Sequence, residues 1–233
     1  MYVEFSKKGK KLEKYLDILK KCPLFEDISD GELTKMLSCL GARGRRFDKH
    51  ERILSEGEPA QEVGILLSGR ANVSQIDYYG NRTLIGRVSP GEMFAEEFAC
   101  ANVKSLPIDV IADEACEVLL INCRHILTPC ESYCGHHQKM IFNMMRDVAK
   151  KAIIFHKKID VTAKRTTRDK LLTYLNHMAK ETGKHSFEIP FDRQELADYL
   201  EVDRSGLSVE IGKLRREGLI KNTKNFFEII GST

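Results

Sequence analysis

The stretch from Arg52 to Ile121 constrains the fold more than any other part of the chain. It reads as ILSEGEPA, EVGILLSGRANVSQID, YYGNRTLIGRVSPGEMF and PIDVIADEACEVLLIN, short β-type segments divided by glycine and other turn residues, with no helical period. Val63, Ile65 and Leu67 alternate with Gly64, Leu66 and Ser68, and Ala71 and Val73 resume after Gly69. A strand pair with a glycine turn or bulge is the expectation. Tyr79-Gly80-Asn81 supplies residues that tolerate positive φ and is read as a hairpin turn. Several strands at such close spacing imply a small antiparallel barrel or roll.

Helical signals flank this region. Ser29-Asp30-Gly31-Glu32 is a capping-box pattern that opens the helix ELTKMLSCL. From Tyr133 to about Ala163 the chain has no proline and only Gly135 as a glycine, and Ile141, Met145, Val148, Ala152, Phe155 and Ile159 recur at spacings of four and three. Such a stripe either packs on its own domain or forms the seam of a dimer. Its length and its place between two domains favour the seam. The stripe ends near Val161 to Thr167, where a new helix, RDKLLTYLNHMAKE, begins. The expected class is α+β: an N-terminal roll with helices over 1–132, a long helix over 133–163 and a helical C-terminal domain over 164–233.

Composition narrows the function classes. With 42% hydrophobic residues the chain of 233 can bury two cores. Its longest apolar runs, Gly64 to Leu67 and Ala115 to Ile121, fall far short of the roughly 20 residues of a membrane-spanning helix, so no membrane partner is expected. The N-terminal MYVEFSKKGKKLEKYLDILKK mixes acids and bases without an apolar core or cleavage site, so it reads as a charged amphipathic helix rather than a secretion signal. Seven cysteines, none in a CxxC pair, suggest a reducing compartment, hence the cytoplasm. Before Arg146 the chain has 19 basic and 21 acidic residues; from Arg146 onward it has 18 and 13. This modest basic surplus hints at a polyanion partner.

The C-terminal part supplies the chemistry for such a partner. Asp192-Arg193-Gln194-Glu195 is a second capping box and opens RQELADYL; the chain turns at Glu201-Val202-Asp203, and Asp203 can cap RSGLSVEIGKLRREGLI. Leu207, Ile211 and Leu214 share one face of that helix, and Gly218 can end it. Two short helices joined by a tight turn, with the small Ala197 near their crossing, have the layout of a helix-turn-helix. An ordinary helical hairpin shares the spacing. Arg204, Ser205 and Ser208 in the first turns of the second helix favour the DNA-reading alternative, since a recognition helix presents such side chains to base edges. Arg193 and Lys213 are further candidate DNA contacts. Gly218 to Asn222 and Phe226 to Ile230 alternate like two strands of a wing, bringing Lys221 and Lys224 near a phosphate backbone.

CPLFEDIS, EGEPAQEVGILLSGRANV, PGEMFAEE, the long helix and DRQELADYLEVDRSGLSVEIGKLRREGLI follow one another in this order. In that combination the chain resembles the CRP/FNR family of bacterial regulators, from about Cys22 to Ile230. The resemblance implies a β-roll sensor, a dimerising helix, a winged helix-turn-helix, palindromic double-stranded DNA, and recruitment or obstruction of RNA polymerase. It also implies an effector pocket at Glu92, Phe94, Ala95, Glu96, Glu97, Leu106 and Pro107. Cyclic-nucleotide-binding members carry a Gly-Glu pair and, about ten residues on, an Arg-Ser pair that holds the cyclic phosphate. Here Ala95-Glu96 and Leu106-Pro107 stand in those places. An anion buried without a partner is costly, so cyclic AMP is not the expected effector, unless Arg87 or Arg124 substitutes. The N-terminal cysteine cluster of iron-sulfur members is absent, since Cys22 stands alone there. Val209 replaces an arginine found in many relatives, which leaves Arg204 as the main candidate reader.

Cys123, Cys130, Cys134, His136 and His137 lie together in sequence at the junction of roll and long helix. They are either structural or ligands for a metal or a haem, and Cys130 and Cys134 could form a redox switch. Beside an effector- or redox-gated DNA-binding regulator stand two other classes: a small-ligand or cyclic-nucleotide sensor that does not bind DNA, and an enzyme on a roll scaffold. No GxSxG, P-loop or HExxH motif supports the enzyme.

Overall fold

A computed structural model of the chain describes residues 2–3, 13–79, 82–128 and 135–230. Contacts divide it into two units, Met1–Ala149 and Lys150–Thr233.

The first unit holds β1 (Tyr2–Val3), α1 (Leu16–Leu19), α2 (Asp30–Cys39), β2 (Arg43–Phe47), β3 (Arg52–Leu54), β4 (Glu62–Ser68), β5 (Ala71–Ile76), β6 (Arg82–Val88), β7 (Met93–Phe94), α3 (Glu96–Cys100), β8 (Asp109–Ala112), β9 (Cys116–Asn122) and α4 (Cys123–Leu127). The long helix α5 (Gly135–Thr162) begins here. The strands form two antiparallel sheets, ordered β1-β2-β9-β4-β7 and β3-β8-β5-β6. The alternation in EVGILLS explains how the first sheet is buried on both faces. Val63, Ile65 and Leu67 of β4, with Leu119 and Ile121 of β9, join a core with Leu19, Leu24, Leu33, Met140 and Met144. Leu66, Val118 and Leu120 point the other way, into a second core with Ile53, Ala71, Val88 and Val110 of the facing sheet. Each buried Val, Leu, Ile or Met side chain among these stabilises the fold by about 1.5–3 kcal/mol relative to exposure.

Two glycines have geometric reasons. A Cβ on Gly64 would sit 2.0 Å from the Phe94 ring across the β4–β7 pair, and Gly69 turns the chain from β4 into β5 at φ +80°. The turn expected at Tyr79-Gly80-Asn81 lies partly outside the described residues. The N-terminus differs from the single amphipathic helix expected there. Tyr2 and Val3 pair with β2, α1 is one turn long, and Pro23 opens a short 3-10 turn at Pro23–Phe25. Proline cannot continue a preceding helix, and its predecessor is biased toward extended backbone, as Cys22 is here. Helix α3 is likewise unanticipated; it follows Ala95, whose φ of +62° redirects the chain.

The second unit continues from α5 through α6 (Thr167–Thr182), β10 (Ser186–Glu188), α7 (Arg193–Leu200), α8 (Arg204–Arg216), β11 (Ile220–Thr223) and β12 (Phe226–Ile229). Its antiparallel sheet runs β10-β12-β11. Leu171, Leu175, Leu196, Leu200, Leu207, Ile211, Leu214, Ile220 and Phe227 make one core, with Ala197 fully buried among them. The fold is therefore mixed α and β: a roll, a long helix and a winged helix-turn-helix. Among the described residues no helix is long and apolar enough to cross a membrane.

Candidate nucleic-acid interface and sensor site

Both ends of the α7–α8 turn are set by side chains. At the start of α7 the Asp192 carboxylate accepts from the Glu195 amide at 2.8 Å, and the Glu195 carboxylate accepts from the Asp192 amide at 2.8 Å. This is the capping box read from the sequence. At its end Glu201 adopts a left-handed φ of +54°. Lys170 donates to the carbonyls of Leu200 at 3.1 Å and Glu201 at 3.3 Å, and Lys158 donates to that of Tyr199. Cations at these orphan carbonyls satisfy the negative end of the helix. Asp203 then caps α8 by accepting from the Gly206 amide at 2.8 Å, which holds its carboxyl below the usual range.

With Leu207, Ile211 and Leu214 buried, the opposite face of α8 is open. Arg204, Ser205 and Ser208 are exposed at its start, and Val209 beside them is exposed too. The Ser208 hydroxyl donates to the Arg204 carbonyl at 3.0 Å, so its outward hydrogen-bonding capacity is as an acceptor unless it rotates. Arg204 has no ion pair among the described residues. Arg193 is half-buried, with one guanidinium nitrogen buried and unbonded; burial, and secondly the charge of Arg204, push its pKa down. A phosphate is the kind of group that would relieve both. Arg193 and Lys224 also share a cleft of about 520 Å³ with Asn225 and the capping carboxylates Asp192 and Glu195. Lys224, at φ +54°, turns the wing between β11 and β12. The other two bases are partly engaged: Lys221 stands 3.8 Å from Glu228, and Lys213 3.3 Å from Glu210. Arg168 is held by Glu217 and Glu210 and so is bound to its own domain.

The expected dimer stripe is split by the fold. Met140 and Met144 face the first core, and Asn143 fastens that side of α5 by donating to the carbonyls of Leu24 at 3.1 Å and Glu26 at 3.0 Å. Met145, Ala152, Phe155 and Ile159 are exposed. Ile141 and Val148 are half-buried, and Val148 packs against the first core. Phe142, Ile153 and Ile154 are exposed as well, beyond what the heptad count singled out.

The residues expected to form an effector pocket are divided between core and surface. Phe94, Ala95, Glu96 and Leu106 are buried, whereas Glu92, Glu97 and Pro107 are exposed. Leu106 is fixed into the second core by backbone bonds on both sides: its amide donates to the Glu58 carbonyl at 2.8 Å, and its carbonyl accepts from the Gly57 amide at 2.9 Å. Arg87 and Arg124 are exposed.

Of the cysteine–histidine group, Cys130 and Cys134 lie outside the described residues, as does the side chain of His136. His137 is buried, its Nε2 3.2 Å from the His125 carbonyl, and His125 in turn reaches the Leu40 carbonyl through Nδ1 at 2.9 Å. Among the described residues no cluster of His, Cys, Asp and Glu could hold a metal. Cys123 meets Cys100, with the two sulfurs 3.6 Å apart. Cys100 carries no local sequence signal of this contact, because 23 residues and two strands separate the pair.

Comparison with known proteins agrees with this architecture. Residues 44–133 match the cyclic nucleotide-binding domain, and residues 169–230 match the Crp-like helix-turn-helix domain. The transcriptional activatory protein AadR of Rhodopseudomonas palustris is 24% identical over 180 residues, covering 75% of this chain and 72% of that protein. Human cGMP-dependent protein kinase 2 is 25% identical over 213 residues, 89% of this chain, but the chain spans only 27% of the kinase's length. The solved Thermus thermophilus catabolite activator protein shares the fold with a TM-score of 0.54 at 19% identity, over 89% of this chain and 93% of that one. A roll of the cyclic nucleotide-binding type followed by a Crp-like winged helix-turn-helix defines a class of DNA-binding transcription regulators. The chain belongs to the CRP/FNR family of these regulators.

Proposed function

We propose that the protein acts in the cytoplasm as a homodimer that reads palindromic double-stranded DNA through α8 and adjusts transcription by RNA polymerase in response to a signal received by the roll. The observation that carries this reading is the exposed first turn of α8, where Arg204, Ser205 and Ser208 stand free of the core that Leu207, Ile211 and Leu214 fix behind them. Arg193, Lys213, Lys221 and Lys224 are assigned to the phosphate backbone. The exposed Met145, Ala152, Phe155 and Ile159, with the edges of Ile141 and Val148, are assigned to the seam between two copies of α5. The protein is thus a regulator rather than an enzyme, with 1–132 sensing, 133–163 dimerising and 164–233 binding DNA. Selection of bound sequences from a random duplex pool tests the reading. An inverted repeat is expected, with half-site centres about 34 Å, or one helical turn, apart. Enrichment of no sequence would overturn it.

The signal is proposed to be something other than cyclic AMP. Leu106 lies where a phosphate-holding arginine would be needed, and its side chain is part of the second core. Calorimetry with millimolar cyclic AMP should give no saturable heat. A saturable isotherm in the micromolar range would show that another basic residue neutralises the phosphate.

A further inference from the structure

The pair Cys100 and Cys123 is a reactive arrangement that the DNA-binding reading does not use. Cys100 ends α3 and Cys123 begins α4, and neither is in a disulfide. Their sulfurs, 3.6 Å apart, would need to approach by about 1.5 Å to reach the bonded distance of about 2.05 Å. Both line a cleft of about 340 Å³ together with Gln61, Asn102 and Arg124. Cys100 is half-buried and reachable from it, while Cys123 is 3% exposed. The contact with the Cys123 sulfur, in which either thiol can donate, holds the Cys100 thiol below its usual range against burial and the charges of Glu96 and Glu97. The same contact and burial push Cys123 up. Cys116 contrasts with this pair: it is buried, and burial beside Glu51 and Glu114 pushes its thiol up to about 11.

We propose that Cys100 and Cys123 form a reversible disulfide on exposure to a hydroperoxide, Cys100 being the attacking thiol and Cys123 the resolving one. In the first step the Cys100 thiolate attacks a peroxide oxygen and the O–O bond breaks. Cys100 becomes a sulfenic acid, and the leaving oxygen takes up a proton as an alcohol or water. In the second step the Cys123 sulfur attacks the Cys100 sulfur, the S–O bond breaks, and the Cys123 proton leaves with the hydroxide as water. Two thiols and one hydroperoxide thus give one disulfide, one alcohol or water, and one further water. The two electrons lost by the sulfurs reduce the peroxide. A dithiol reverses the change by exchange, becoming a disulfide itself.

The full-length protein, reduced and then treated with hydrogen peroxide, tests this by alkylation of the remaining thiols and non-reducing peptide mapping. A peptide pair joining Cys100 to Cys123 is expected, lighter by two hydrogen atoms than its reduced parts and released by dithiothreitol. Cys116→Ser should retain it. Cys123→Ala should lose it and leave a sulfenic acid on Cys100 that dimedone traps, and Cys100→Ser should give neither. Absence of the linked pair from peroxide-treated wild-type protein would overturn the proposal without reliance on any variant. So would its loss in Cys116→Ser, which would assign the bond to another cysteine.

Discussion

Replacing Met145 and Phe155 together with Glu is expected to convert the protein from a two-chain to a one-chain species in sedimentation at micromolar concentration. Both side chains of α5 are more than 60% exposed, ten residues and nearly three turns apart. In the proposed dimer, burying Met145, Phe155 and Ile159 against a second copy would remove exposed apolar surface from water. In a symmetric seam the two substitutions place four carboxylates where apolar side chains would meet, and an unpaired buried charge costs several kcal/mol. The protomer fold should survive, because neither residue belongs to the first core. Val148 would be a poorer choice, since it packs against that core and its loss would confuse dissociation with unfolding. Unchanged mass with unchanged helical content would remove α5 as the seam.

Replacing Arg204 with Ala is the second change with a large expected effect. Asp203 holds the first turn of α8, so the Arg204 guanidinium projects from a fixed helix start, and no carboxylate among the described residues ties it down. In the major groove, guanine offers two acceptors matched to its two parallel donors. The substitution should weaken binding to the selected site by about 1–3 kcal/mol per half-site and relax preference at one base pair. Affinity for random duplex should change little. Lys221→Ala gives the contrasting result, a uniform loss over all sequences and a salt slope shallower by about 0.9 per half-site, about 1.8 for the dimer. If Arg204→Ala keeps the wild-type sequence preference and merely binds more weakly, Arg204 contacts phosphate, and Ser205 or Ser208 reads the bases.

Local signals made most of the architecture legible. The capping box at Asp192 to Glu195 fixed the start of α7, the β-type alternation in EVGILLS located β4, and the absence of breakers after Gly135 marked α5. The first two rest on residues a few positions apart, and the third on one unbroken run of sequence. Features decided by distant packing were not legible. The N-terminal strand exists because β2 offers it an edge, and β10 because β12 does. The heptad count found the apolar stripe but not that Val148 is shared with the first core, which depends on where that core lies. The substitution at Leu106 could be seen in the sequence, whereas its role as a core side chain pinned to Gly57 and Glu58 could not. Sequence groups Cys123 with Cys130 and Cys134, which lie outside the described residues, and gives no sign of its contact with Cys100, which is made by the roll's folding and not by spacing.

On the proposed reading, the second unit binds DNA through basic side chains and reads it through α8. The most direct test is the affinity for the selected inverted repeat, and for random duplex, as monovalent salt is raised. Neutralising phosphates releases counterions, so log affinity should fall linearly with log salt at about −0.9 per phosphate contacted. With Arg193, Lys213, Lys221 and Lys224 on each of two protomers, the account expects a loss of about 10³–10⁵ between 50 and 200 mM salt, with the repeat bound more tightly than random duplex throughout. A salt-independent affinity, or equal affinity for both duplexes at every salt concentration, would contradict it.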